Sequence, residues 1–286
     1  MTKLWSITFA AWSVTVSLGA GELQVEEKET IQKNFILTDA PGIKQVKVDN
    51  IDGSVEVTEY NGREVQLVVN KTIRAESKEK LEKARQDVRL DLSQNENQIV
   101  AYVDTPWRCR DGGVNYPGWR HYGYLVSFDF QLKVPTGTDL HLRTVNHGEI
   151  KISNLSGAFD IKNINGGIEM SDVAGSGRAY AVNGKVKVVF SKNPAADSYF
   201  GSLNGDVDLY FRPNLSADLR FKTFNGNVYS DFPVSYLPPG EGSRERRDGK
   251  FIYRSDRFSG VRVGNGGAEI KLDAFNGNIR VLERKE

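Results

Sequence analysis

The chain has 286 residues, 38 Lys+Arg against 37 Asp+Glu, and one cysteine. Near-neutral charge gives no long-range field to gather a polyanion, so nucleic acid is not an expected partner. A lone Cys109 excludes an intrachain disulfide, and the length suits one large all-β domain or two smaller ones.

Residues 1–20 read as a signal peptide: Lys3 is the positive end, residues 4–18 carry no charge, and Gly19-Ala20-Gly21 follows. The competing reading is a retained membrane anchor, for which the stretch is short of the roughly 20 apolar residues a span needs. No later segment is as apolar. The expectation is therefore export to periplasm, cell envelope or exterior, with no membrane span in the mature chain.

Residues 21–135 read as an N-terminal β segment with two interruptions. Residues 76–88 are helix formers without Gly or Pro; Ser77 precedes Glu79 and Lys80, and Leu81, Ala84 and Val88 form one stripe, predicting a short surface helix. Residues 105–124 hold Trp107, Arg108, Tyr116, Trp119, His121 and Tyr122. Aromatic planes beside hydrogen-bond donors suit a sugar platform or partner contact; the plainer reading is a long loop folding its aromatics over the sheet. These six residues are the candidate ligand contacts.

Residues 136–286 carry a repeat continuous with that segment. Gly148, Gly157, Gly166, Gly175 and Gly184 lie nine apart, Gly205 and Gly226 follow at steps of 21, and Gly53 and Gly62 again differ by nine. Asn165, Asn183, Asn204, Asn225 and Asn276 directly precede a glycine, and apolar residues stand two and four places after most of them, as in Ile150 and Ile152 or Val186 and Val188. His147 is an extra residue that displaces Val145 from the template. Asn-Gly tolerates positive φ and permits a tight corner, and apolar residues two apart put one face inward. A unit this small must bury that face against its neighbours. An antiparallel meander and a two-sided β-solenoid with coils of roughly 18 to 21 residues both satisfy this. Like-for-like Ile, Val and Leu at one slot favour the β-solenoid, a β-helix-like stack of short Asn-Gly-punctuated strands with one short helix. Pro238 to Lys250 breaks the rhythm and reads as an exposed loop whose Arg244, Arg246 and Arg247 are most simply solvated.

The residues offer little for catalysis. His121, His141 and His147 form no metal-ligand motif, and neither a nucleophile elbow nor a phosphate-binding glycine loop occurs. Asp206 and Asp208 share one face flanking Val207, which reads as solvent exposure. No cofactor is expected.

The run Val134-Pro135-Thr136-Gly137-Thr138-Asp139-Leu140, then Thr144-Val145-Asn146-His147-Gly148-Glu149-Ile150, resembles the bacterial putative-adhesin family of β-strand-repeat proteins. That group has no assigned biochemical function and is similar to head-GIN adhesin-like domains. Asp231-Phe232-Pro233 and the closing Phe275-Asn276-Gly277-Asn278-Ile279 extend the likeness over nearly all the mature chain. The resemblance implies a β-solenoid-like fold in an exported or envelope setting, and brings no catalytic residues. The expected function is a non-catalytic exported surface protein, an adhesin-like binding or scaffolding module, with an envelope glycan or surface protein as partner. A polysaccharide-active β-solenoid enzyme and a structural or envelope-stress component remain the alternatives.

Overall fold

The structure is a computed structural model describing residues 9–15, 23–38, 42–109, 113–238, 243–247, 250–254 and 258–285. The N-terminal part contains β1 (Phe9–Thr15), β2 (Val25–Ile36), β3 (Gln45–Asp49), β4 (Val55–Tyr60), β5 (Glu64–Ala75), α1 (Lys78–Asp87), β6 (Arg89–Asn95), β7 (Gln98–Asp104), α2 (Trp119–Tyr122) and β8 (Tyr124–Pro135). The repeat supplies β9 (Asp139–Thr144), β10 (Ile150–Ser153), β11 (Phe159–Asn163), β12 (Ile168–Val173), β13 (Gly177–Asn183), β14 (Val186–Phe190), β15 (Ser198–Asn204) and β16 (Val207–Phe211). There follow β17 (Ala217–Asn225), β18 (Val228–Ser230), β19 (Val234–Leu237), β20 (Ser243–Arg247), β21 (Lys250–Arg254), β22 (Ser259–Val263), β23 (Ala268–Asn276) and β24 (Ile279–Glu283).

The protein is all-β apart from the two helices. Successive repeat strands alternate between two 11-stranded sheets, ordered β1-β2-β5-β8-β4-β10-β12-β14-β16-β24-β18 and β19-β22-β17-β23-β15-β13-β11-β9-β3-β7-β6. Pairing within the repeat is parallel and in template register: Ile150 faces Ile168, Ile168 faces Val186, and Val186 faces Val207. The meander alternative is thereby set aside, because identical slots lie side by side as only parallel strands allow. Between the sheets lie Ile150, Met170, Val188, Phe200, Leu209 and Leu272, all essentially inaccessible to water. Such a run of buried aliphatic and aromatic side chains supplies the main drive for folding.

The order of coils in space departs from the order in sequence. The C-terminal pair β23–β24 slots between β15–β16 and β17–β18: β16 pairs with β24, which in turn pairs with β18. β18 is thus the edge of one sheet, while in the other β17 is followed by antiparallel β22 and then β19.

The repeat glycines serve a purpose other than the expected positive φ. Gly53, after Asp52, has positive φ at 107° and Gly266, after Asn265, at 76°, but Gly166, Gly184, Gly205, Gly226 and Gly277 do not. At Gly148, Gly166, Gly184, Gly205, Gly277 and Gly226 a methyl group would instead overlap the carbonyl of the glycine one coil away. Backbones pass so closely there that a Cβ has no room. The asparagines before them form a side-chain ladder: Asn165 donates to Asn146, Asn183 to Asn165, Asn204 to Asn183, Asn276 to Asn204 and Asn225 to Asn276, at 2.8–2.9 Å.

The predicted helix forms as Lys78–Asp87, with the Ser77 hydroxyl accepting from the Lys80 N–H at 3.3 Å. Leu81 and Ala84 bury its inner stripe. Phe9–Thr15, inside the expected leader, is strand β1, antiparallel to β2; residues 1–8 and 16–22 lie outside the described residues. The expected loop from Pro238 to Lys250 instead contains β20, paired antiparallel with β21. The cue is the β-branched and aromatic run Phe251-Ile252-Tyr253 preceded by Asp248-Gly249, a hairpin signal.

Candidate functional site

The loop from 105 to 124 folds onto the sheet. Trp107 is only 7% exposed and packs against Tyr116, Tyr122 and Tyr124, with ring centroids at 4.9, 4.8 and 6.3 Å. Arg108 is buried: its guanidinium donates to the Val103 carbonyl at 2.6 Å and to Asp49 Oδ1 and O at 3.0 and 2.9 Å, and stacks on Tyr102. These contacts hold the loop in place. At the surface remain His121, edge-on to Tyr122, and the partly exposed Trp119, with Arg120 over its ring. Cys109 is exposed.

The Thr105 hydroxyl, Trp107 Nε1 and Tyr116 hydroxyl are buried without a hydrogen-bond partner among the described residues. Burial pushes the Tyr116 hydroxyl up to about 12, and the nearby Asp52 charge adds to it. Removing water from the phenolate side disfavours ionisation.

Asp52 belongs to the site that the sequence reading did not single out. The extra residue His147 bulges from the corner between β9 and β10 while Asn146 keeps the row, bridging Asp52 in parallel. His147 takes φ of 48°, unusual for a residue with a Cβ. Its side chain is 72% exposed, and Nδ1 lies 2.8 Å from Oδ2 of the buried Asp52. Burial raises the Asp52 pKa above its ordinary value; the His147 contact lowers it, and Asp129 raises it. Asp129, on β8, accepts from the Ser54 N–H at 2.9 Å and the Ser54 hydroxyl at 2.6 Å.

Two cavities meet at His147 and Asp129. One, of about 440 Å³, is lined by Ser54, Glu56, Asp129, His147, Glu149, Lys151 and Asn165. The other, of about 340 Å³, is lined by Asp52, Thr72, Arg74, Ser127, Asp129 and His147. Carboxylates predominate, and Lys151 is paired with Glu149 at 3.1 Å. Carboxylates, amides and hydroxyls are the acceptors and donors that polyhydroxyl ligands use. The signal for this site was present in the sequence, since His147 is the residue that breaks the template. Among the described residues no hydroxyl or thiol bonds His147, and no group of three His, Cys, Asp or Glu is placed to hold a metal ion.

Asp206 and Asp208 are also not the simply solvated pair expected. Asp208 is 3% exposed, and Arg280 Nη1 reaches Asp206 Oδ2 at 2.7 Å and Asp208 Oδ1 at 2.9 Å. The inserted strand β24 brings Arg280 over them.

No protein-family model matches the chain, and no curated relative does. Two solved structures are similar. One is a putative cell adhesion protein from Clostridium sporogenes ATCC 15579, at 13% identity and TM-score 0.39, covering 88% of this chain and 99% of that one. The other is a putative adhesin from Bacteroides fragilis NCTC 9343, at 9% identity and TM-score 0.40, covering 89% of this chain and 97% of that one. No helix among the described residues is long and apolar enough to cross a membrane.

Proposed function

We propose that the chain is an exported, non-catalytic, adhesin-like binding module that takes an envelope glycan in the groove at His147. Residues 1–20 act as its leader. Residues 21–135 bring β8, the helix and the aromatic loop against the first corner of a two-sided β-solenoid formed by residues 136–286. The parallel register of Ile150, Ile168, Val186 and Val207 supports the solenoid reading. The observation that carries the binding reading is His147 itself: inserted into a regular corner, held at positive φ, exposed, and anchored by a buried carboxylate between two polar cavities. Backbone strain kept at an exposed polar residue is a feature of functional sites. The Ser54 hydroxyl bonds Asp129 rather than His147, an arrangement that suits ligand binding better than a hydrolytic relay.

The test is an envelope glycan and peptidoglycan binding screen on the purified chain, with His147→Gly, which relaxes the backbone while removing the ring. Binding weakened at least about tenfold in His147→Gly, with the melting temperature held, is expected. Trp119→Ala and His121→Ala measure whether the exposed part of the loop extends the groove. Trp107→Ala lowers stability by about 3–5 kcal/mol, as loss of a buried ring does. Unchanged affinity in His147→Gly moves the site elsewhere, and no binding to any envelope polymer ends the glycan reading.

A further inference from the structure

The outer end of the stack is built unlike the rest. Inside the repeat every Asn-Gly corner lies against a further coil on each side. The outermost corner, Asn225-Gly226-Asn227, has only one such neighbour. Antiparallel β22 pairs with Ala217 through Phe221 and no further, and Phe258 lies beside Lys222, so residues 223–225 have only β23 beside them, and β18 has only β24, among the described strands. The Asn225 amide donates to Asn276, and among the described residues no further amide continues the ladder. Phe224 is 71% exposed and stacks on Phe275 at 4.9 Å and 7°, leaving the other face of its ring open.

Charge is withdrawn from this edge. The outward slot of the inner strands carries Lys151, Glu169, Lys187, Asp208 and Arg280, and in β18 the same slot is Tyr229. Residues 223–230 read Thr-Phe-Asn-Gly-Asn-Val-Tyr-Ser, with no charged side chain. Edge strands of monomeric proteins are commonly guarded by charge, proline or a bulge, because an open edge pairs with another chain. Residues 222–230 contain no proline, and the only charge, Lys222, sits at the start of the segment beside Asp273.

We propose that this end is a self-association surface, through which two copies meet tail to tail into a closed dimer. The occupant is a second copy because an uncharged edge meets itself without repulsion. Once the proposed leader, which contains β1, is removed, the opposite end does not offer a matching surface: edge strand β6 carries Arg89 and Asp91, and β2, then the edge of its sheet, carries Glu26, Lys28, Glu29 and Lys33. Head-to-tail growth would set charged strands against the uncharged corner, whereas a two-fold pairing consumes both open corners and stops. In that dimer the Phe275–Phe224 stack and the asparagine ladder both run on into the partner. This surface is independent of the groove at His147.

Light scattering and sedimentation of the Cys109→Ser chain, from about 1 to about 100 µM, test the proposal without disulfide-linked dimers. Doubling of the mass with concentration is expected, with Phe224→Asp and Tyr229→Lys each weakening the dimer at least about tenfold. Asp91→Ala, on the opposite edge, should leave it unchanged. Two separate charge insertions at exposed positions, each checked by circular dichroism, distinguish loss of the interface from loss of the fold. A monomer throughout the range, a dimer equally tight in both charged variants, or a mass that keeps growing beyond two copies would each overturn it.

Discussion

His147 Nδ1 lies 2.8 Å from Asp52 Oδ2, so an exposed ring on a strained backbone is tied to a carboxylate that the fold has buried. Desolvation dominates at Asp52 and raises its pKa above 3.8; the His147 contact works against it, and Asp129 works with it. A raised pKa means the folded chain holds this proton more tightly than the unfolded chain. The corresponding stability is complete below the ordinary carboxylate value and is lost as pH rises through the raised one. Asp52→Asn, neutral at every pH, escapes that loss. Its melting temperature should match the parent near about pH 3 and exceed it by a few degrees at about pH 7. Thermal melts across that range check this, and a variant less stable at neutral pH would show that pairing with His147 outweighs desolvation.

Gly166 tests whether the corners need glycine for closeness or for φ. Its φ is not positive, yet a Cβ would overlap the Gly148 carbonyl and press on the Asn163 side chain. Asn163 is buried and donates to the Gly148 and Gly167 carbonyls at 2.9 and 3.0 Å, so it has nowhere to retreat. Gly166→Ala should lose about 3 kcal/mol or more in urea unfolding, the scale of a backbone clash in a packed corner. Gly42→Ala, where nothing lies within 4 Å of the added carbon, should change stability by less than about 0.5 kcal/mol.

What the sequence made legible follows from which interactions are periodic. Inward slots such as Ile150, Ile168 and Val186 repeat because the same contact repeats, and spacing alone revealed them. The helix was legible through Ser77 and the Leu81–Ala84 stripe, both local features. Three things were not legible. The insertion of β23–β24 inside β17–β18 leaves no local trace, since Gly226 and Gly277 fit one template equally well and only pairing decides which lies outermost. The aromatic loop has the composition of a binding platform, but Trp107 and Arg108 are spent on packing and on Asp49. The groove at His147 depends on Asp129 and Asp52 meeting across residues far apart in sequence, and its only sequence mark is the single residue that spoils the repeat.

Arg280 fastens that inserted coil. Its Nη1 contacts both Asp206 and Asp208, and Lys185 also reaches Asp208, so a nearly inaccessible carboxylate is neutralised both from β24 and from the corner before β14. At Asp206 burial pushes the carboxyl up, but the Asn278 backbone N–H and Arg280 more than reverse it, and the pKa falls below 3.8. A lowered carboxylate pKa gives stability that is present above the ordinary value and is lost as pH falls through the lowered one. Arg280→Met keeps the stem and removes the charge, leaving Asp208 with Lys185 alone. The expected loss is about 2–3 kcal/mol at neutral pH, shrinking as pH falls through the lowered Asp206 value. Because Val207, Leu209 and Val228 pair with the same strand, amide exchange at Ile279 and Val281 should accelerate before that of Ile168 or Val186. Uniform acceleration across all these amides would mean that the inserted coil unfolds only with the whole stack, and that Arg280 does not fasten it locally.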